Sequence, residues 1–340
     1  MQAAHELGFK VIIDWVANHT GWDHRWTREH PDYYRRNHEG NFYEIHGWDD
    51  VIDLNYDNKE LHVSMIEAMQ WWVQQFDIDG FRCDMAMLVP LDFWRQARTV
   101  LDGVKRLFWL AECEEIAYHE VFDATYTWKL LHRMEAVWRK EFGISGLDEV
   151  LDYYSKQFPP EAFRAFFTTN HDENSHSGSE YERLGAAALP FAVLCCTWNG
   201  LPLIYSGQEM PNEKRLQFFD KDPIEWTGVY KLHGFYKALL NLRKVSPALR
   251  AGDTAVQTHR LGAGESIFAF LRKHPAGEVL VILNFSAEGQ SVRLDDPFVQ
   301  GSFREIFSGE TADLTTYKTV TVPAWGYKVF EKKGQEKTRQ

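Results

Sequence analysis

The sequence predicts an α/β domain built on a parallel sheet, followed by an antiparallel β-sandwich, and three observations lead there. From residue 9 to about 245, short β-branched or aromatic runs alternate with helical stretches, the rhythm of successive βα units. After Ser246-Pro247 the helical stretches stop, and short strands separated by turn signals follow one another. The chain has 340 residues, 44% of them apolar, enough to fill the core of one large domain and a smaller one.

In the first part six strands are expected: Lys10-Val16, Gly80-Met85, Leu107-Glu112, a weaker one at Val121-Tyr126, Ala165-Asn170 and Leu201-Ser206. Between the first two, Met65, Ile66, Met69, Trp72, Val73 and Phe76 recur at helical spacing, which predicts an amphipathic helix over Leu61-Phe76. The stretch at about 20–58 is rich in Trp, His, Tyr, Asp and Asn. It is too long for an ordinary βα loop and too polar for core, so it reads as a small inserted domain over the sheet. The second part, 246–332, is expected to hold strands at Val256-Leu261, Ile267-Lys273, Val279-Phe285, Gln290-Leu294, Phe303-Phe307 and Thr319-Phe330. Residues 333–340 read as a charged tail, and the chain has no internal repeat or low-complexity segment.

A formal net charge of −12, with basic residues concentrated only near that tail, argues against nucleic acid or an anionic membrane as a partner. No run of eighteen apolar residues is present, so no membrane span is expected. The four cysteines, Cys83, Cys113, Cys195 and Cys196, each lie in an apolar run without metal-ligand or redox spacing, which predicts buried thiols. Aromatic residues make up 15% of the chain. Most belong to a core, but the share also suits a ligand with flat apolar faces.

The chemistry collects at the strand ends, where parallel α/β barrels place their functional groups. Asp14 to His19 (DWVANH), Arg82 with Asp84 (GFRCD), Glu112 (WLAE) and Asn170-His171-Asp172 (TTNHD) each close an otherwise apolar strand. Charged groups there are costly to bury unless they are paired or used. Arg82 and Asp84 are two apart on a strand and so face the same side. A guanidinium beside Asp84 favours the carboxylate that a nucleophile requires. Glu112 follows Phe108-Trp109-Leu110-Ala111, apolar surroundings that suit a general acid held neutral. Any one such Asp alone reads as a helix N-cap, and His19 or His171 alone as a structural histidine. Four clusters in order are a stronger signal than any of them singly.

These four segments, with VIDLNYDN at 51–58 and PAWGYKVF at 323–330, resemble the ordered signature regions and closing strand of the α-amylase family of glycoside hydrolases (glycoside hydrolase family 13). The resemblance implies a (β/α)8 TIM-type barrel followed by a β-sandwich. It also implies a retaining hydrolase of α-1,4-glucosidic bonds acting on starch-type glucans or malto-oligosaccharides. On that basis Asp84 is the nucleophile, Glu112 the general acid and Asp172 the group that stabilises the distorted ring. Arg82 orients Asp84, His19 and His171 bind sugar hydroxyls, and Asp14 braces Arg82 or the strand end. Asn18 matches a position that ligates calcium in many relatives. Calcium is possible but not favoured, because the companion oxygen ligands are not evident, so no metal or other cofactor is expected to be required. Trp22, Trp26, Trp48, Tyr33 and Tyr43 are candidates to stack on sugar rings.

Met85-Ala86-Met87 follows Asp84 where many extracellular α-amylases have a Lys-His pair, and VIDLN departs from the MPDLN and QPDLN forms. Cyclomaltodextrinase, α-glucosidase and transglycosylase activities therefore stay open. Two readings from other classes are a metal-dependent barrel hydrolase using His19, His171, Asp172 and Asp84, and a non-catalytic relative. In the family DWVANH belongs to the third barrel strand. Residues 1–8 are thus expected to end the second helix, and strands 3 to 8 of the barrel to be present with the first two missing. A cytoplasmic or periplasmic setting is expected, any leader lying upstream.

Overall fold

The structure, a computed structural model, describes residues 1–334; the tail residues 335–340 lie outside the described part. It resolves into two compact units, divided after Tyr126.

The first unit holds, in chain order, helix α1 (Gln2–Glu6), strands β1 (Ile12–Val16) and β2 (His19–Gly21), helix α2 (Trp26–Glu29), strand β3 (Val51–Asp53) and helix α3 (Lys59–Phe76). Strand β4 (Gly80–Asp84), helix α4 (Leu91–Asp102) and strands β5 (Phe108–Ala111) and β6 (Ala124–Tyr126) complete it. Strands β1, β4, β5 and β6 form a parallel sheet in that order. In its register Asp14 lies opposite Arg82 and Val16 opposite Asp84. The sheet is tight at Gly80, where a Cβ would stand 2.0 Å from the Phe108 carbonyl oxygen, so only glycine fits.

Helix α3 begins where Asn58 accepts a bond from the Glu60 N–H at 2.9 Å, and it ends at Asp77 in the left-handed region, φ 54°. Its buried face is Leu61, His62, Met65, Met69 and Val73. Phe76, expected on that face, is exposed, because the last turn runs past the edge of the core. Within 20–58, β2 and β3 pair antiparallel, His19 opposite Asp53. Tyr33, Tyr34, Ile52, Leu54 and Tyr56 share one continuous core with α3, Phe81 and Trp109. Residues 20–58 thus pack onto the sheet's own core.

A buried carboxylate closes the opposite end of this sheet. Asp79 is held by the Val11 N–H at 2.9 Å, His5 Nε2 at 2.8 Å, and Lys10 and Lys105 Nζ at 3.2 Å each. Burial alone would raise its pKa, but these donors outweigh burial and hold it far below the usual carboxylate range. The stabilisation is therefore complete above the unfolded pKa near 4 and is lost as pH falls below it. Asp79→Asn should cost about 2 kcal/mol at pH 7, with the gap from the parent narrowing towards pH 3. Urea unfolding of both proteins at the two pH values checks this.

The second unit opens with helices α5 (Trp128–Trp138) and α6 (Ser145–Gln157) and strand β7 (Phe163–Phe166). Helices α7 (His171–His176), α8 (Glu180–Leu184) and α9 (Ala188–Thr197), strand β8 (Leu201–Pro202) and helix α10 (His233–Val245) follow. Strands β7 and β8 pair in parallel, Ala165 opposite Leu201. Helix α9 is buried almost all round and contains Cys195 and Cys196; all four cysteines are buried free thiols.

Eight antiparallel strands then follow: β9 (Gln257–Leu261), β10 (Ile267–His274), β11 (Gly277–Asn284), β12 (Gln290–Arg293), β13 (Ser302–Glu305), β14 (Thr311–Asp313), β15 (Thr319–Val322) and β16 (Tyr327–Lys333). They form a six-stranded sheet and a two-stranded sheet around a core that includes Leu271, Ile282, Val292, Phe303, Val322 and Phe330. The single strand expected over Thr319-Phe330 is two strands in different sheets: β15 pairs with β12, and β16 with β11 and β13. The break falls at Pro323-Ala324-Trp325-Gly326, where Pro323 has no N–H to offer and Trp325 takes φ 46°. Strand β14 was not anticipated, being three residues long. Strand β16 runs to Lys333, into the segment expected as tail.

Candidate active site

Four neighbouring parallel strands deliver the first unit's polar groups to one place. Arg82, only 6% exposed, is its hub. Its Nη1 donates to Asp14 Oδ1 and Oδ2 at 2.9 and 3.1 Å and to Asp84 Oδ1 at 2.7 Å. Its Nη2 stands 2.9 Å from Glu112 Oε2, and its Nε donates to the Tyr126 hydroxyl at 3.3 Å. Burial on its own would lower the guanidinium's pKa; the oxygen groups of Tyr126, Glu112 and Asp14 outweigh that and raise it, so Arg82 is a permanent cation. The phenol of Tyr126 is pushed up chiefly by burial and stays protonated.

The carboxyls around this cation differ in access. The side chain of Asp14 is half exposed, that of Asp84 is 19% exposed and that of Glu112 is 7% exposed. Glu112 does not sit in the purely apolar surroundings expected of it. Besides Arg82, the Met85 N–H donates to its Oε2 at 2.9 Å. The reason is the sheet: the apolar residues before Glu112 govern its own strand, whereas its partners come from β4 alongside and the residue that follows it. Met85 turns its N–H that way by adopting φ 40°, ψ 45°, a left-handed conformation costly for a bulky side chain.

Asn18 is buried, its Nδ2 3.4 Å from both Asp53 Oδ1 and His19 Nδ1. The His19 ring meets Trp48 edge-on at 5.5 Å between centroids. A cavity of about 530 Å³ opens beside His19, lined also by Trp15, Thr20, His24 and Trp26. Of the candidate stacking residues, Tyr33 belongs to the core, lying against His30 and Trp26, and so offers no face to a ligand. Trp22 is half exposed, and Trp26, Tyr43 and Trp48 are partly buried. Among the described residues no group of three or more His, Cys, Asp and Glu side chains forms a metal site. No described helix is long and apolar enough to cross a membrane.

In the second unit, His171 and Asp172 open helix α7 just after β7, where Asn170 caps the helix by accepting from the Glu173 N–H at 2.8 Å. His171 Nε2 lies 3.2 Å from Asp172 Oδ2. The approach to this turn is held from below. Thr168 Oγ1 donates to buried Glu180 at 2.6 Å, Gln208 Nε2 donates to the same carboxyl at 2.9 Å, and Arg183 Nη2 donates to the Thr168 carbonyl at 2.7 Å. Tyr126, Glu180, Arg183 and Gln208 are not evident from sequence. Of these only helix α8 carries a legible signal, the Ser179-x-x-Glu182 capping box that starts it.

Two family models match the chain: the α-amylase catalytic domain over residues 33–127 and the maltogenic amylase C-terminal domain over 261–329. α-Amylase MalA of Haloarcula japonica is 28% identical over 95% of this chain and 50% of its own length. A cyclomaltodextrinase of Thermoanaerobacter pseudethanolicus is 23% identical over 87% of this chain and 56% of its own. The chain thus spans about half the length of these relatives. Among solved structures, the noncanonic maltogenic α-amylase AmyB of Thermotoga neapolitana superposes with a TM-score of 0.86 at 27% identity, over 98% of this chain and 79% of that one. The match fixes the fold class as the α/β barrel type with a C-terminal antiparallel sandwich. With both family models matched in order, and the parallel sheet and sandwich in the places they require, this chain is similar to the α-amylase family of glycoside hydrolases.

Proposed function

We propose that this chain contributes the catalytic carboxyls of a retaining hydrolase of α-1,4-glucosidic bonds, acting on starch-type glucans or malto-oligosaccharides. One observation supports this most: Arg82 ties Asp84 and Glu112, from adjacent strands, to a single buried guanidinium. Retaining hydrolysis needs two carboxyls close together, one ionised and attacking, the other giving a proton. Asp84, more open than Glu112, attacks the anomeric carbon and forms a glycosyl ester. Glu112 protonates the leaving oxygen and then takes a proton from the water that cleaves the ester. Asp14 braces Arg82. His19 and Asn18 contact the sugar or its surrounding loop.

Cyclomaltodextrinase action is the second reading, favoured by the relatives that carry that name and by the absence of a Lys-His pair after Asp84. We also propose that no metal is required. Asn18 has one buried carboxylate, Asp53, and His19 as its polar side-chain neighbours, far from the six to eight oxygens that calcium takes.

The test is NMR of fresh product from maltoheptaose and from a cyclodextrin in excess EDTA. The α-anomer is expected first, since a covalent intermediate involves two inversions. Initial β-anomer would contradict retention, loss of turnover restored by calcium alone would contradict metal independence, and the preferred substrate separates the two readings.

A further inference from the structure

The parallel sheet places a phenol beside the guanidinium that both carboxyls share. Tyr126 is the last residue of β6, two strands from Arg82, and is 3% exposed. Its hydroxyl receives the Arg82 Nε–H at 3.3 Å, while the guanidinium carbon stands 5.8 Å from the ring centre. A guanidinium is a flat fork with a terminal pair of nitrogens and a lateral Nε. Here Nη1 serves Asp14 and Asp84, Nη2 serves Glu112, and Nε serves Tyr126.

The partners of the two terminal nitrogens are carboxyls on side chains that can turn with them, so on their own they hold the plane only as firmly as those side chains are held. A fixed acceptor at Nε opposes that turn. Any turn that brought Nη1 off Asp84 would also carry Nη2 off Glu112, since both are rigidly joined through one carbon.

We propose that Tyr126 is a positioning residue that sets the plane of Arg82 and through it the relative orientation of the nucleophile Asp84 and the acid Glu112. The phenol acts through its oxygen, the ring serving to bury that oxygen beside Arg82. The inference rests, in its functional half, on the proposed roles of the two carboxyls; its structural half does not.

Arginine side-chain NMR of the protein carrying ¹⁵N-labelled arginine separates the halves. In the parent protein the Arg82 Hε signal should exchange slowly and show a nuclear Overhauser contact to the Tyr126 ring. In Tyr126→Phe, which keeps the ring and the packing, that exchange should quicken by at least roughly tenfold, as loss of a hydrogen bond to a charged group implies. With maltoheptaose, kcat should fall roughly tenfold while KM stays within about twofold, because substrate contacts are untouched. A general loosening of the fold would instead move the thermal midpoint and KM together. An absent contact in the parent, or unchanged exchange and kcat in the variant, overturns the proposal. Absent hydrolysis by the parent protein would count against the proposed function, and the NMR comparison would still decide the role of Tyr126.

Discussion

Replacing Asp84 by Asn or Glu112 by Gln should abolish hydrolysis, each lowering kcat/KM by roughly 10⁴-fold or more while leaving the unfolding transition nearly where it was. Both substitutions are isosteric, so packing changes little. What changes is chemistry: an amide at 84 cannot attack an anomeric carbon, and an amide at 112 cannot deliver a proton to the leaving oxygen. The two losses should differ in character. An activated substrate whose leaving group needs no protonation should restore the first step in Glu112→Gln, and azide, entering in place of water, should then restore turnover of the glycosyl ester. Neither rescue is open to Asp84→Asn, which never forms the ester. The geometry adds one further expectation, because Arg82 touches both carboxyls at 2.7 and 2.9 Å. Neutralising either leaves the cation with less compensation, so a modest loss of stability, about 1 kcal/mol, should accompany each variant. Activity retained in either variant on an ordinary maltodextrin would sink the assignment.

The carboxyls themselves were legible in the sequence because they stand at the ends of apolar strands, where a charged residue needs a reason to be. The alternation of strand and helix, and its end near residue 246, were equally plain, since periods of 2 and 3.6 survive in any one stretch of chain. What sequence could not supply was the neighbour across the sheet. Glu112 follows Trp109 and Ala111 and looks apolar, yet its partners are Arg82 of β4 and the N–H of Met85 just past that strand's end. Tyr126 ends a strand of three residues, too short to show a pattern, and its role exists only in the register that sets β6 beside β5. The division of Thr319-Phe330 between two sheets had a local sign in Pro323, which the apolar residues on either side of it obscured. Tyr33, a candidate to face sugar, was indistinguishable by residue type from the less buried aromatics around it.

The second large effect should come from Arg82 itself. In Arg82→Ala three carboxyl groups, Asp14, Asp84 and Glu112, would face the space left by one cation, each having lost a partner within 3 Å. Removing one member of a buried ion network costs about 3–5 kcal/mol, and the lower end applies here, because Glu112 is left buried and uncompensated while half-exposed Asp14 keeps its access to water. Here they also repel each other, and protonation is the route by which they escape repulsion. The direction of the pH dependence follows. Protons bind more tightly to the folded variant than to its unfolded chain, so its stability deficit should be smaller near pH 4 than near pH 7, a trend that urea unfolding at the two values would reveal. Hydrolysis should fall at least roughly 10³-fold, since Asp84 and Glu112 lose the one guanidinium that holds them in a common orientation. Arg82→Lys separates charge from geometry. A lysine restores one positive charge but has no planar fork, so it cannot serve Asp14, Asp84, Glu112 and Tyr126 together. It should recover a good part of the stability and little of the turnover. Recovery of both by lysine would show that Arg82 acts as a charge alone, and the shared orientation of the two carboxyls would then need another source.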